Sequence, residues 1–182
     1  MRRNTNADKS KRSINTKSEN KFQDESINLK MGTEKYISEV RLISASQEAV
    51  YNRLSDFKNL ESLFDPERIE EIKKQFPDAP DIKLDKFRAT TDHCSFSVSP
   101  VGKVEVNIVE REPSKMIRLG SGKSVPFQFS CWIQLLPVDE ASCKVKITLH
   151  AELNPMIKML VNKHLKKGVD QIAAALTKIP YA

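Results

Sequence analysis

The stretch "CKVKITLHAELNPMIKMLV", residues 143–161, joins an alternating pattern to a helical one and decides the fold. Its first part places Val145 and Ile147 on one side and charged or polar residues on the other. Such alternation is typical of a strand in an antiparallel sheet that has one apolar and one solvated face. Asn154 and Pro155 follow as an N-cap and a first helical residue. The strand is therefore predicted to run directly into a helix.

That closing helix is predicted to be about 24 residues long, or about 36 Å at 1.5 Å per residue. Lys163, Lys166, Lys167 and Asp170 fall on one arc of its helical wheel. The opposite half holds the apolar residues Ile157, Leu160, Val161, Leu165, Val169, Ile172 and Leu176. Because the lysines lie opposite the apolar half, we expect that half to face a sheet or a bound apolar molecule, with a membrane as the weakest alternative.

His164 and Gly168 break the pattern, since both fall on the apolar side one turn apart. A glycine inside a helix costs about 1 kcal/mol relative to alanine. Gly168 therefore indicates either close approach of the helix to the sheet or space left for a ligand. His164 is either a polar contact inside a cavity or a histidine at the edge of the buried face, bonded to a backbone carbonyl.

Ahead of this helix, alternation predicts six strands joined by short connections, and hence a meandering antiparallel sheet. Their predicted bounds are 82–88, 93–99, 102–112, 115–121, 126–138 and 141–153. On the apolar face of this sheet we place Cys94, Phe96, Val98, Val104, Val106, Ile108, Phe127, Phe129, Cys131, Ile133 and Leu135. The closing helix is the element long enough to cover such a face.

A further strand is predicted from Glu34, with Tyr36, Ser38, Val40 and Leu42 on one face. Three short helical segments follow it. The first begins after the N-cap Ser46 and runs through Val50, Tyr51 and Leu54; the second carries Phe57, Leu60, Leu63 and Phe64; the third begins at Asp65-Pro66 and presents Ile69, Ile72 and Phe76.

The first 32 residues are predicted to be a disordered basic extension, and residues 33–182 a single ligand-binding domain. The net charge of +6 is concentrated in that extension, because residues 1–30 hold eight Lys and Arg against four Asp and Glu. A specific nucleic-acid partner is therefore not predicted. Met31 stands directly before the first strand, which makes a start of translation there a further hypothesis.

No run of about 18 apolar residues is present, so a spanning helix is not predicted. With no apolar stretch near the N-terminus to serve as a signal peptide, we expect a cytoplasmic protein.

The three cysteines, Cys94, Cys131 and Cys143, are odd in number and lack CxxC spacing. They predict reduced thiols without a metal site or disulfide framework.

Catalytic signatures are sparse. No nucleophile elbow, zinc-binding HExxH or phosphate-binding loop is present, and no cofactor or metal is predicted. His93 and His150 fall on the solvated face, and His93 points away from its neighbour Cys94, which excludes a dyad. Arg111, with a glutamate on either side, is interpreted as a charged strand end. Trp132 also falls on the solvated face, where either a dimer contact or burial by sheet twist would explain it.

The order of a strand, short helices, six strands and one long helix resembles the START-like (SRPBCC) superfamily, which includes birch-pollen-allergen type proteins, polyketide cyclases and small lipid-transfer domains. The likeness covers about 34–180. It is carried by "SASQEAVYNRLSDFKNLESL" (44–63), "SPVGKVEVNIVEREPSKMIRL" (99–119) and "WIQLLPV" (132–138) with the opening stretch. A glycine-rich loop of the pollen-allergen members is replaced by "DKFRATTDH" (85–93), which weakens the case for nucleotide-like or phytohormone-type ligands.

The resemblance implies an α+β helix-grip fold: a seven-stranded curved antiparallel sheet wrapped on the long C-terminal helix, with an apolar cavity between them. The leading hypothesis is non-catalytic binding or transport of a hydrophobic small molecule, a lipid, fatty acid or polyketide-like ring. The alternatives are a polyketide cyclase-like enzyme that uses His164 for proton transfer, and a module that contacts a membrane surface or a protein partner through its lysines. The predicted cavity-lining residues are Phe96, Val98, Val106, Ile108, Phe127, Phe129, Cys131, Ile133, Ile147, Leu149, Ile157, Leu160, Val161, His164, Leu165 and Gly168.

Overall fold

The computed structural model describes residues 31–64, 82–98 and 102–181, together with Glu67, Glu70 and Lys74. At residues 64, 82–86 and 98 the structure describes the backbone alone. Residues 1–30 of the predicted N-terminal extension, and most of the helix predicted to begin at Asp65-Pro66, lie outside the described residues, whereas Gly32 already belongs to the first strand.

Within the described ranges, eight strands form one antiparallel sheet. In chain order they are β1 (Gly32–Ile37), β2 (Arg41–Ile43), β3 (Ile82–Ala89), β4 (His93–Val98), β5 (Gly102–Glu112), β6 (Met116–Ser121), β7 (Phe129–Asp139) and β8 (Ser142–Leu153). The spatial order is β1-β8-β7-β6-β5-β4-β3, and β2 also pairs with β8. Consecutive strands from β3 to β8 are therefore neighbours, which confirms the predicted meander.

The strand predicted over Tyr36 to Leu42 is two strands, and this part of the prediction was wrong. Tyr36 and Ser38 are buried as expected, whereas Val40 and Leu42 are exposed and Ile43 is buried instead. The break lies at Ser38, whose hydroxyl accepts a hydrogen bond from the backbone N–H of Ile147 at 2.9 Å. A shift of one residue exchanges the two faces of a strand. β2 therefore turns Ile43 toward the core and Leu42 toward solvent.

Helix α1 (Gln47–Leu54) begins at Ser46, which accepts a hydrogen bond from the backbone N–H of Ala49 and confirms the predicted N-cap. A 3-10 helix, Phe57–Phe64, follows it. We call the apolar face of the sheet, which carries Val145 and Ile147, the inner face. The side chains of Val50, Tyr51 and Leu54 are buried against it. These short helices therefore cover one end of that face.

The C-terminal helix, α2 (Pro155–Leu176), begins at Asn154, whose side chain accepts from the backbone N–H of Ile157 at 2.8 Å. Both the N-cap and the proline at the helix start are as predicted. The inner face of the sheet and one stripe of α2 share a single core that includes Ile117, Val145 and Ile147. The curved sheet and the long helix packed on it confirm the helix-grip fold.

The outer face of the sheet is mostly polar, and it holds the residues predicted to be solvated. His93 pairs with Asn107 there at 2.9 Å. Trp132 is half-buried because its ring packs edge-on against His150, with centroids 4.8 Å apart. In the described part of the chain, no helix is long and apolar enough to cross a membrane.

Candidate ligand-binding groove

Helix α2 covers only one side of the inner face. It packs mainly on β8, β1 and β2, at one edge of the sheet. Its C-terminal half makes this contact with Val169, Ala173 and Leu176, which are 3%, 0% and 8% exposed. The strands from β4 to β7 therefore turn part of their inner face toward the space beside the helix.

That space is bordered by apolar side chains that are only half-buried, and we call it the apolar groove. From the sheet they are Phe96, Val104, Leu119, Phe129, Cys131 and Leu149; from α2 they are Ile157, Val161 and Leu165. The sheet residues all occupy the inner face, because the register pairs Leu119 with Cys131 and Cys131 with Leu149. Half-buried apolar side chains that converge from two elements are typical of a small-molecule site.

Gly168 borders this groove on α2, in the stripe that also holds Val161 and Leu165. A Cβ atom added to Gly168 would meet no other atom within 4 Å. Ile172, one turn further along, is 51% exposed although it lies in the apolar arc. Of the two alternatives for Gly168, close approach to the sheet is excluded and open space beside the helix is present.

The predicted cavity residues whose side chains are described separate into three groups. Those that lie in the buried core are Val106, Ile108, Phe127, Ile133 and Ile147. Those that border it are Phe96, Phe129, Cys131, Leu149, Ile157, Val161, Leu165 and Gly168. The structure does not bring Leu160 or His164 into the groove, since Leu160 is 63% exposed and the His164 side chain is also exposed. Val98 lies on β4 opposite Gly102, and its side chain is outside the described residues.

The position of Leu160 has a simple geometric cause. At 100° per residue it lies about 180° from Val169, the centre of the stripe that packs on the sheet. The predicted apolar half was wider than the stripe that the sheet covers, so its edge residues reach solvent.

Two residues that border the groove, Val104 and Leu119, were not among the predicted lining residues. Their alternation on β5 and β6 was the signal that places them there.

Polar contacts as well as partial apolar packing hold the N-terminal half of α2. Lys158 pairs with Glu34 of β1 at 2.6 Å, and the Tyr36 hydroxyl donates to Asn162 at 2.8 Å. The carboxylate of Glu34 raises the pKa of Lys158, while burial raises the pKa of the Tyr36 phenol. Sequence patterns did not reveal these contacts, because they join residues more than 120 positions apart.

Arg111 closes the α1 end of the sheet. The register of β5 shifts between Ile108 and Glu110, which places Arg111 opposite the buried Ile117. Its guanidinium donates to the carbonyl of Ser55 at 2.9 Å and to the Asp92 carboxylate at 2.6 Å. The flanking residues Glu110 and Glu112 pair with Arg118 and Lys115 on the outer side. These groups hold strands and helices together, and both flanking glutamates are engaged in ion pairs.

The cysteines provide the thiols of the inner face, and none is bonded to another. Burial raises the pKa of Cys94 and of Cys131 to about 12. A thiol with so high a pKa is protonated at neutral pH and is a poor nucleophile. Cys131 therefore acts as an apolar wall residue of the groove.

A second concave site lies beside the β5–β6 turn, where residues of β6, β7 and α1 line it. It encloses about 470 Å³ and is lined by Met116, Trp132 and Leu136, with the ion pair of Glu112 and Lys115 at its rim. It is shallow and open to solvent. Within the described residues, no group of three or more His, Cys, Asp or Glu could hold a metal ion.

No family model matches this chain, and no curated protein matches it. Solved structures do. Norcoclaurine synthase from Thalictrum flavum superposes with a TM-score of 0.58 at 13% identity, covering 93% of this chain and 97% of that one. Its complex with dopamine and hydroxybenzaldehyde gives 0.55 at 13% identity, over 93% and 95% of the two chains. A protein from Thermobifida fusca gives 0.50 at 15%, over 81% and 92%. These likenesses establish the helix-grip fold.

Proposed function

We propose that this helix-grip domain binds an apolar small molecule, such as a lipid, a fatty acid or a polyketide-like ring, in the apolar groove and does not transform it. The observation that carries the proposal is the open space beside Gly168. Half-buried apolar side chains from a helix and a sheet beside such an open space are typical of a binding site.

The character of the groove walls sets the class of ligand. Val, Leu, Ile, Phe and protonated Cys side chains offer dispersion contacts and few hydrogen bonds. Each polar group of a ligand placed against them without a partner would cost free energy. The ligand is therefore expected to be predominantly apolar. A norcoclaurine synthase of the same fold holds dopamine and hydroxybenzaldehyde, which supports the view that this fold accommodates small aromatic rings.

A cyclase-like enzyme is the alternative, and it depends on His164 as the proton-transfer group. The His164 side chain is exposed rather than directed into the groove, whereas a general base must come within hydrogen-bond reach of its substrate. We expect the His164→Ala variant to bind an apolar ligand as tightly as the parent. Loss of a measured turnover in that variant would favour the enzyme instead.

The binding proposal is tested with an uncharged fluorescent probe, N-phenyl-1-naphthylamine, titrated into the parent and two variants. Gly168→Phe adds a ring where the helix borders the groove, and Lys163→Phe adds the same ring on the solvated side of α2. The first is expected to weaken binding by about tenfold or more through lost apolar contact area, and the second to leave it unchanged. Equal affinities in all three proteins would refute the proposed site.

A further inference from the structure

Three large apolar side chains stand exposed at the N-terminal end of α2. They are Met156, Met159 and Leu160, which are 64%, 80% and 63% exposed. We call them the methionine patch. Exposed apolar side chains scattered singly need no explanation, but a contiguous group marks an interaction surface.

Lysines share the face that carries the methionine patch. Lys163 and Lys167 follow Met156 at seven and eleven positions, which returns them to the same side of the helix. Between Glu152 and Asp170 the chain carries four lysines, of which Lys158 is paired with Glu34 of β1, one histidine and no acidic residue. Sequence reasoning placed the lysines opposite the apolar half of α2; the structure adds a second apolar group among them.

We propose that the methionine patch docks on an anionic lipid bilayer, with its apolar side chains in the interface and the lysines at the headgroups. An interfacial helix joins apolar side chains to Lys or Arg in this way, and each lysine near an anionic surface favours binding. Leu160 lies one turn from Ile157, which borders the apolar groove, so the bilayer meets α2 beside the groove. This docking rests on the proposed function and extends it, because a domain held at the bilayer takes its apolar ligand from the lipid phase.

Other occupants fit this surface less well. Pairing of the patch with a second copy across a two-fold axis would bring its lysines against the same lysines, and like charges in contact are destabilising. Three side chains are also a small core for a protein interface, which usually buries about 800 Å² per partner. A bilayer needs no such area, because each inserted side chain adds to binding separately.

The test is flotation of the full chain with vesicles of phosphatidylcholine, alone or mixed with phosphatidylglycerol, at low and at physiological salt. The parent is expected to bind the mixed vesicles, more weakly as salt rises. Replacing Met156, Met159 and Leu160 together by Gln is expected to lower the partition coefficient about tenfold, and Lys163→Gln about fivefold at low salt. Both changes are on exposed helical residues, so thermal melting should confirm an intact fold.

A matched control replaces Leu42, Leu136 and Val138 by Gln, because these side chains are similarly exposed on the outer face of the sheet. This variant should bind vesicles like the parent. The inference is overturned if the parent does not bind the mixed vesicles, if the triple variant of the patch binds them equally well, or if the parent forms a dimer that this variant abolishes. Binding to poly-glutamate but not to vesicles would also overturn it, in favour of an acidic protein partner.

A vesicle-free titration with N-phenyl-1-naphthylamine separates this inference from the proposed function. The triple variant of the methionine patch should bind the probe like the parent, because its changes lie outside the groove. Probe binding without vesicle binding removes the docking surface alone. Vesicle binding without probe binding removes the ligand site and leaves the docking surface in place.

Discussion

The two halves of α2 are built from similar residues but have different surroundings. In the C-terminal half, Val169, Ala173 and Leu176 are packed into the core against the sheet. In the N-terminal half, polar contacts hold the helix to β1, and the apolar residues are half-buried along the groove or exposed in the methionine patch. One half therefore stabilises the fold, while the other leaves apolar side chains partly or fully accessible.

The largest expected effect comes from truncating the same residue type in each half. Leu176→Ala should lower the free energy of unfolding by about 2–5 kcal/mol, since it removes buried contacts and leaves a cavity. Leu160→Ala should change it by less than about 0.5 kcal/mol, because the side chain is already in water. Chemical denaturation of both variants measures the difference. Equal losses would mean that the two halves are packed alike.

Thiol labelling sharpens the comparison between core and groove. Cys143 is fully buried, whereas Cys131 borders the groove. With a pKa of about 12, the Cys131 thiol holds far less thiolate at pH 8 than an unfolded thiol of pKa 9. Native Cys131 should therefore react with iodoacetamide at least about a hundredfold more slowly than in denaturant, and a bound ligand should slow it further.

The pH dependence of this reaction has a defined sign. Because burial raises the pKa of Cys131, its native alkylation rate should still be rising between pH 9 and 11, where that of the unfolded chain levels off. The same shift stabilises the fold fully below the unfolded pKa, and this contribution is lost as pH rises toward 12. Mass spectrometry of the labelled peptides follows each cysteine. A native rate that levels near pH 9 would contradict a buried wall position.

The smallest expected effect concerns the groove side of the helix. Gly168→Ala should raise the free energy of unfolding by about 1 kcal/mol, since alanine favours the helix and its Cβ meets no atom. Ala173→Gly, in the packed half, removes a buried methyl group and should instead destabilise by more than the same propensity difference. Thermal melting compares the two. A destabilised Gly168→Ala protein would show that the helix approaches the sheet closely.

The fold was largely predictable because its signals are local. Alternation on β8 and the N-caps Ser46 and Asn154 placed the strands and helices close to their observed bounds. The break at Ser38 was not predictable in this way, since it depends on a hydrogen bond to Ile147 on a strand more than 100 residues away.

The groove itself was only partly predictable. Helical periodicity gives the angle of each side chain on α2, but not how wide a stripe the sheet covers. Leu160 and Ile172 therefore reach solvent although both lie in the predicted apolar half. Whether Gly168 faces a packed strand or open space also depends on where the whole helix is set against the sheet, and residue spacing carries no information on that distance.

Methyl NMR of the protein during a titration with N-phenyl-1-naphthylamine tests the ligand site most directly. Binding in the groove should shift the methyl signals of Val104, Leu119, Leu149 and Val161, and leave those of Leu136 and Val138 on the outer face in place. Shifts confined to Leu136 and Val138, beside the shallow site at Trp132, would contradict the account.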